Sequence, residues 1–352
     1  MIDRADGAPA QALEPEDHDA HPATDGALPA DARAHPAGEH GLPGHRHPHP
    51  PDDPSGKPRI GIVGAGRVGT ALGVAFSRAG WPVAAVATRD IERRERFLTL
   101  VPGSRALAAS DLPDEVELLF LTVSDDAVAP VAASIRLYGG QAIVHTSGAL
   151  PSSVLVPARA AGTQAASFHP LVAFAELDRS LAALRGSTVA LEGDAQLVAL
   201  LAELAVAVGA QPVALPPGGK AAYHAAAMLS AGGFIGLLDA IAELGRGAGL
   251  DEAGSLAIYG PLIRQSLANA EALGIAAALT GPLLRGDVGT VRGHLDAMRR
   301  LAPGALDLYR AAARREIDLA LLRGELQPAP AAALRELLAE PDAGSPPDVS
   351  GI

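Results

Sequence analysis

Arg59-Ile60-Gly61-Ile62-Val63-Gly64-Ala65-Gly66-Arg67-Val68-Gly69 is the stretch on which the fold turns. Its short apolar run suits a strand buried on both faces. Three glycines follow, and a helical pattern then covers Val68 to Arg78. The same alternation recurs downstream. Apolar runs WPVAAVATR (81–89), ELLFLTVS (117–124), QAIVHTSG (141–148), AASFHP (165–170), STVALEG (187–193) and QPVALP (211–216) are separated by helical segments such as Ala195–Val208. Strand and helix in alternation predict an α/β fold with a parallel, doubly wound sheet of Rossmann type.

The strand signals stop at Pro216-Pro217-Gly218-Gly219. Beyond it the periodicity predicts helices over 220–247, 251–272, 287–300 and 304–323, with a weaker one over 329–340. The organisation read from the sequence is therefore a dinucleotide-type domain over 59–216 and an all-α domain over 217–325. Residues 326–352 hold the weak helix and a polar end, and 1–58 form a leading tail.

That tail has eleven acids against four bases, and seven of the chain's eleven histidines. It lacks the branched apolar residues needed to offset chain entropy and reads as disordered. Its HRHPHPP run could bind a metal, although a solvated tail is the simpler reading. The whole chain has a net charge of −12, and only 3% of its residues are aromatic. Both values argue against a nucleic-acid partner. The absence of cysteine excludes disulfides, thiolate nucleophiles and cysteine metal sites. No secretory pattern opens the chain, and its longest apolar stretch, Ala225–Leu238, is shorter than the roughly 20 residues that span a bilayer. The expectation is a cytoplasmic protein without a membrane partner.

Gly64-Ala65-Gly66-Arg67-Val68-Gly69 is a G-x-G-x-x-G in the context that gives the motif meaning, after a strand and opening a helix. Gly64 permits the tight turn, Gly66 lets backbone approach a pyrophosphate, and Gly69 allows close helix–strand packing. At the end of the second strand, where an NAD site usually places an acid, Thr88 and Arg89 stand instead. A guanidinium and a hydroxyl suit a 2′-phosphate, so NADP is expected ahead of NAD. Asp90 fits a helix N-cap. Val123, Ser124 and Asp125 end the third strand run, and His145 and Ser147 end the fourth, where strand ends line the nicotinamide crevice. Asp125 reads equally well as a helix cap, and His145 as a core histidine.

All cations but Lys57 and Lys220 are arginine. Lys220 opens the first helix after the domain boundary and shares a face with His224. A protonated lysine can deliver a proton to a carbonyl or imine while hydride reaches carbon, which arginine cannot do. The alternative is a surface lysine beside a core histidine. His169 ends the fifth strand run as a polar neighbour. In the helical half, Arg285, Asp287, Thr290 and His294 cluster in a TGPLLRGDVGTVRGHL stretch, suited to an anionic substrate or simply to a capped polar turn. Asn269, the one asparagine, is expected to make a tertiary hydrogen bond. Gly232-Gly233-Phe234-Ile235-Gly236 is expected to allow close helix contact, at the centre of its domain or in a dimer interface.

These pieces resemble a known family. GIVGAGRVGTAL, LTVSDDAV, VHTSGAL, SFHPLVAF, KAAYHAAA and above all ALTGPLLRGDVGTVRGHL look like bacterial Rossmann-like proteins with a C-terminal helical domain of unknown function. Those proteins are relatives of pyrroline-5-carboxylate reductase, 3-hydroxyacid dehydrogenases and ketopantoate reductase. The resemblance spans about residues 59–320. It implies a nucleotide-binding domain and a helical domain that often mediates dimerisation. In the hydroxyacid dehydrogenases a lysine and an asparagine one turn later carry catalysis. Lys220 matches the lysine, while His224 replaces the asparagine.

The combined expectation is an NADP-dependent oxidoreductase, homodimeric as the resemblance implies, reducing a small 2-oxo acid, hydroxy acid or cyclic imine. Lys220 and His224 would be catalytic. The alternatives are a non-catalytic NADP-binding sensor or partner protein, and a metal-handling protein driven by the tail.

Overall fold

The computed structural model describes residues 56–160 and 162–340. The acidic tail with its histidine run, apart from its last three residues, and the polar end of the chain lie outside the described residues. Lys57 does not behave as tail: its Nζ donates to the Gly80 carbonyl at 3.1 Å and sits 5.2 Å above the Trp81 ring.

Eight strands form one sheet: β1 (Ile60–Val63), β2 (Val83–Ala87), β3 (Arg105–Ala106), β4 (Leu118–Leu121), β5 (Ala142–His145), β6 (Gln164–Pro170), β7 (Thr188–Gly193) and β8 (Gln211–Ala214). Their order is β3-β2-β1-β4-β5-β6-β7-β8. The doubly wound arrangement is as expected, with helices α1 (Arg67–Arg78), α2 (Ile91–Leu100), α3 (Asp125–Ser134), α4 (Leu177–Leu184) and α5 (Ala195–Ala207) between strands. The wholly parallel expectation is corrected at one place, because β6 and β7 pair antiparallel. The short two-residue β3 also escaped the apolar pattern, since Arg105 and Ala106 are exposed.

The reversal positions the next domain. Val63, Leu121, His145 and Ser167 form one row across β1, β4, β5 and β6. Strand β6 continues beyond that row, and β7 runs back from its tip. Strand β8 follows β7, with Ala214 beside Leu191, which in turn pairs with Phe168. The chain thus returns to the carboxyl edge of the parallel strands just before the helical domain begins.

On one face of the sheet Phe76, Phe120 and Phe168 pack with ring centroids 5.1–5.9 Å apart. The other face buries Leu119, Leu121 and Ile143 with Val128 of α3. Such double burial explains why these strands read as unbroken apolar runs.

The helical domain contains α6 (Lys220–Met228), a π-type turn over Leu229–Gly233, α7 (Phe234–Gly247), α8 (Glu252–Leu273), α9 (Ile275–Ala278), α10 (Pro282–Arg285), α11 (Val288–Leu301), α12 (Leu306–Leu322) and α13 (Pro328–Ala339). Val291, Leu295 and Met298 of α11 meet Ile317 of α12 and Leu334 and Leu337 of α13 in a separate core. Three expectations are corrected here. The glycine-rich Gly232–Gly236 segment is exposed and not central to the domain. The close helix contact lies later, at Gly245, where a Cβ would stand 2.0 Å from Ser255 Oγ of α8. The fourteen-residue apolar run also belongs to a continuous 28-residue helix, Lys220–Gly247, long and apolar enough by composition to cross a membrane. Its apolar side chains are largely open, Leu229 being 73% exposed, and Leu262 on α8 is 59% exposed. Asn269 is exposed on α8 and makes no side-chain hydrogen bond among the described residues.

Candidate functional site

The glycine turn between β1 and α1 is closed by backbone and Thr122. Gly64 has φ +104°, and a Cβ there would meet the Thr122 carbonyl at 2.8 Å. A Cβ on Gly69 would stand 2.0 Å from the Gly64 carbonyl oxygen and 2.4 Å from Thr122 Oγ1. Gly66 is different: nothing lies within 4 Å of its missing Cβ. Protein packing therefore accounts for Gly64 and Gly69, while Gly66 leaves the backbone open to a ligand. Gly66 caps α1 with no side-chain bond, and the first turn carries no acid. Free N–H groups and the positive end of the helix thus face outward, the arrangement that holds a pyrophosphate.

This turn opens into a cleft of about 980 Å³. Gly64, Ala65 and Gly66 line it, with Thr88 and Arg89 at the end of β2 and Val123 and Ser124 at the end of β4. Its floor is apolar, from Leu107, Val131 and neighbours. A glycine turn, a bare helix start and a guanidinium on the walls of an apolar trough fit a phosphorylated dinucleotide. Asp90 caps α2, accepting from Arg93 N–H at 3.0 Å and pairing with Arg93 Nε at 3.1 Å. Its carboxylate is thereby committed to the helix. Arg67, Val68, Gly69, Asp125 and Ser147 are not on the walls of this cleft. Ser147 closes a turn, its hydroxyl accepting from the N–H groups of Ala149 and Leu150 at 3.1 and 3.0 Å. Asp125 opens α3 and faces the next cluster through its charge.

That cluster gathers at the carboxyl ends of β5 and β6. Lys220 and His224 of α6 come together with His145 and His169, as shared face and strand ends require. Lys220 is 4% exposed. Its Nζ, the Tyr223 hydroxyl and the Nδ1 atoms of His145, His169 and His224 are all buried without a hydrogen-bond partner among the described residues. The His169 ring stands edge-on to Tyr223 and to His224, each at 5.7 Å between centroids. Gly148 makes room for both histidines: a Cβ there would lie 2.2 Å from His224 Nδ1 and 2.7 Å from His169 Nε2. Buried polar atoms left in such numbers call for a polar occupant.

Electrostatics follow the burial. Desolvation lowers Lys220 to about 8, against the pull of Glu192 and Asp125. Burial, and then repulsion from Lys220, lower His145 to about 3 and His169 to about 4. His145 is fully buried, and its Nε2 lies 3.2 Å from the Pro151 carbonyl, to which it donates. Its Nδ1 is therefore an acceptor. The arrangement is one lysine near its deprotonation point beside the neutral imidazoles of His145 and His169.

The TGPLLRGDVGT group is organised separately, on α10 and α11 against α12 and α13. Asp287 caps α11, accepting from Thr290 N–H at 3.0 Å and Thr290 Oγ1 at 2.7 Å. Arg285 is exposed. His294 Nδ1 lies 2.9 Å from the Tyr309 hydroxyl. Burial and Glu316 push Tyr309 up to about 12, so the phenol keeps its proton. The structure thus gathers the predicted residues into a nucleotide cleft, a lysine–histidine cluster and a capped polar turn on the helical core. Sequence reasoning missed Arg93, Tyr223 and Gly148. Arg93 carried a signal, lying four residues beyond Arg89. Gly148 carried none, because its need arises only when β5 and α6 meet. Among the described residues no group of three or more His, Cys, Asp or Glu is placed to hold a metal.

Comparison with known proteins agrees with this architecture. Residues 50–170 match a Rossmann-like domain, and residues 187–316 match a domain of unknown function, DUF2520. No curated protein matches the chain. Protein TM1727 from Thermotoga maritima is similar in structure, with 24% identity and TM-score 0.60, over 75% of this chain and 99% of that one. A putative NADP oxidoreductase, BF3122 from Bacteroides fragilis, has 22% identity and TM-score 0.59, over 74% and 98%. A 1-pyrroline-5-carboxylate reductase from Streptococcus pyogenes has 20% identity and TM-score 0.54, over 75% and 98%. At these identities the likeness is one of fold. The chain carries a Rossmann-like domain followed by a DUF2520 domain, as its motifs implied.

Proposed function

We propose that this protein is an NADP-dependent oxidoreductase that reduces a small 2-oxo acid, hydroxy acid or cyclic imine. The observation that carries the reading is Lys220: a nearly buried amine, unpartnered, lowered to about 8, at the strand ends beside the nucleotide cleft. The fold likeness to a putative NADP oxidoreductase and a pyrroline-5-carboxylate reductase supports it.

NADP, when bound, supplies the hydride. The free N–H groups of Gly66 and the first turn of α1 hold the pyrophosphate, and Thr88 and Arg89 take the adenosine end. Lys220 holds the proton for the carbonyl oxygen or imine nitrogen, and its value near 8 keeps that proton available at neutral pH. His224, His169 and Tyr223 orient the substrate by hydrogen bonds. Arg285, Thr290 and His294 meet an anionic substrate only if another chain brings them to this cluster. The open apolar faces of α7 and α8 supply a reason for a homodimer. A cytoplasmic setting without membrane or nucleic-acid partners completes the reading.

NADPH absorbance followed with ketopantoate, other 2-oxo acids and pyrroline-5-carboxylate tests it, with Lys220→Ala alongside. Turnover should fall about 100-fold or more in the variant while NADPH affinity holds. Tight NADPH binding with no turnover on any substrate would favour the non-catalytic sensor.

A further inference from the structure

Helix α1 begins at the nucleotide cleft, and its last turn borders a shallow groove of about 400 Å³. The carboxyl ends of α4 and α5 form the other walls. Leu181, Leu184, Val206 and Val208 make the surface apolar, and Val206 is 61% exposed. Two arginines stand on it, Arg78 of α1 and Arg185 after α4. The Arg185 stem packs over Gly209, where a Cβ would lie 3.3 Å from its Cγ. Among the described residues neither arginine makes an ion pair or a side-chain hydrogen bond.

The chain itself leads to this groove. Lys57 donates to the carbonyl of Gly80, two residues beyond Arg78, and lies over Trp81. The residues just before it are Pro50-Pro51-Asp52-Asp53-Pro54-Ser55. Asp53 is four residues from Lys57 and Asp52 is five, so an extended chain carries them about 13–17 Å. One helical turn is about 5.4 Å, so that span covers the last turn of α1 and the ground beyond it. Two carboxylates match two guanidiniums, and three prolines match the apolar wall. Proline fixes φ, so the segment gives up little freedom on docking. The anchor at Lys57 also gives it an effective concentration near millimolar, an advantage no free anion has.

We propose that residues 50–55 of this chain dock in the groove, with Asp52 and Asp53 against Arg78 and Arg185 and the prolines on the apolar wall. The contact extends the anchorage of Lys57 along the end of α1. It holds this acidic segment away from the nucleotide cleft, where its charge would oppose a phosphorylated ligand.

The chain has no cysteine, so a pair can be introduced without background. Pro50→Cys with Val206→Cys in the full chain should form an intrachain disulfide about tenfold faster than Pro50→Cys with Ala133→Cys. Ala133 is exposed on α3, which packs on the opposite face of the sheet. Adding Asp52→Asn and Asp53→Asn, or Arg78→Gln and Arg185→Gln, should slow the first pair about tenfold, and high salt should do the same. Arg78, Arg185 and Val206 are exposed, and thermal melts will check that the variants fold. The aspartate variants give the same reading without altering the groove. A rate equal to that of the Ala133 pair, or one indifferent to the four charges, would overturn the proposal. Disulfides formed between chains in place of within them would give the groove to a second copy and overturn it as well.

Discussion

The sheet and the long helices are both rich in apolar residues, yet they treat them in opposite ways. Phe76, Phe120 and Phe168 are fully enclosed between strands and helices. On α7 and α8, Ile235, Leu256, Leu262 and Leu267 face outward. A soluble monomer rarely shows a contiguous apolar surface larger than a few hundred Å². The sheet half buries its apolar residues within itself, whereas the helical half has an apolar face that the described residues do not cover.

Four measurements can break or sharpen this contrast. Phe120→Ala should cost about 3–5 kcal/mol of unfolding free energy, because the ring is fully buried and its neighbours cannot collapse into the void. Equilibrium denaturation will read it, and a loss no larger than that of an exposed leucine would remove the contrast. The next effect is acid sensitivity. His145 and His169 fall from 6.5 to about 3 and about 4 on folding, so the unfolded chain binds more protons between those values. Their stabilisation is present above pH 6.5 and is lost on acidification, at up to about 1.4 kcal/mol per pH unit for each group. His145→Leu should flatten the slope of melting free energy against pH. A slope unchanged in the variant would show that His145 does not supply it.

Leu262→Arg should alter folding stability by only about 0.5 kcal/mol in the monomer while shifting the sedimentation profile from dimer to monomer. A wild-type protein that sediments as a monomer would show that α7 and α8 are not covered by a second copy. The smallest effect is Asp287→Ala, which removes the cap of α11 and should cost about 1 kcal/mol. Full turnover in that variant would assign Asp287 to structure alone.

The fold was legible because doubly buried strands announce themselves as apolar runs and the glycine turn fixes where the first helix starts. The antiparallel β6–β7 pair was not, since a buried strand has the same composition whichever way it runs. Gly232–Gly236 reads as a place of close helix contact, within its domain or in a dimer interface, because small residues permit approach; within the described residues the close contact with α8 is made by Gly245 instead. Lys220 and His224 could be paired from helical spacing. Their meeting with His169 over Gly148 depends on contacts between residues far apart in sequence. For Arg285, Asp287, Thr290 and His294 the sequence offers an anion site or a capped polar turn; the Asp287 cap on Thr290 is visible in the fold, and spacing alone could not separate the two readings.

Lys220 has a practical consequence as a chemical handle. Within the described residues it and Lys57 are the only side-chain amines, and Lys57 is tied to Gly80 and Trp81. An amine lowered to about 8 is substantially unprotonated at mildly alkaline pH, but at 4% exposure a reagent reaches it only when the surrounding elements part. The rate of acylation at this one nitrogen is therefore a clock for the opening of the cluster. Ligands that close the cluster should slow that clock, whether or not they are turned over.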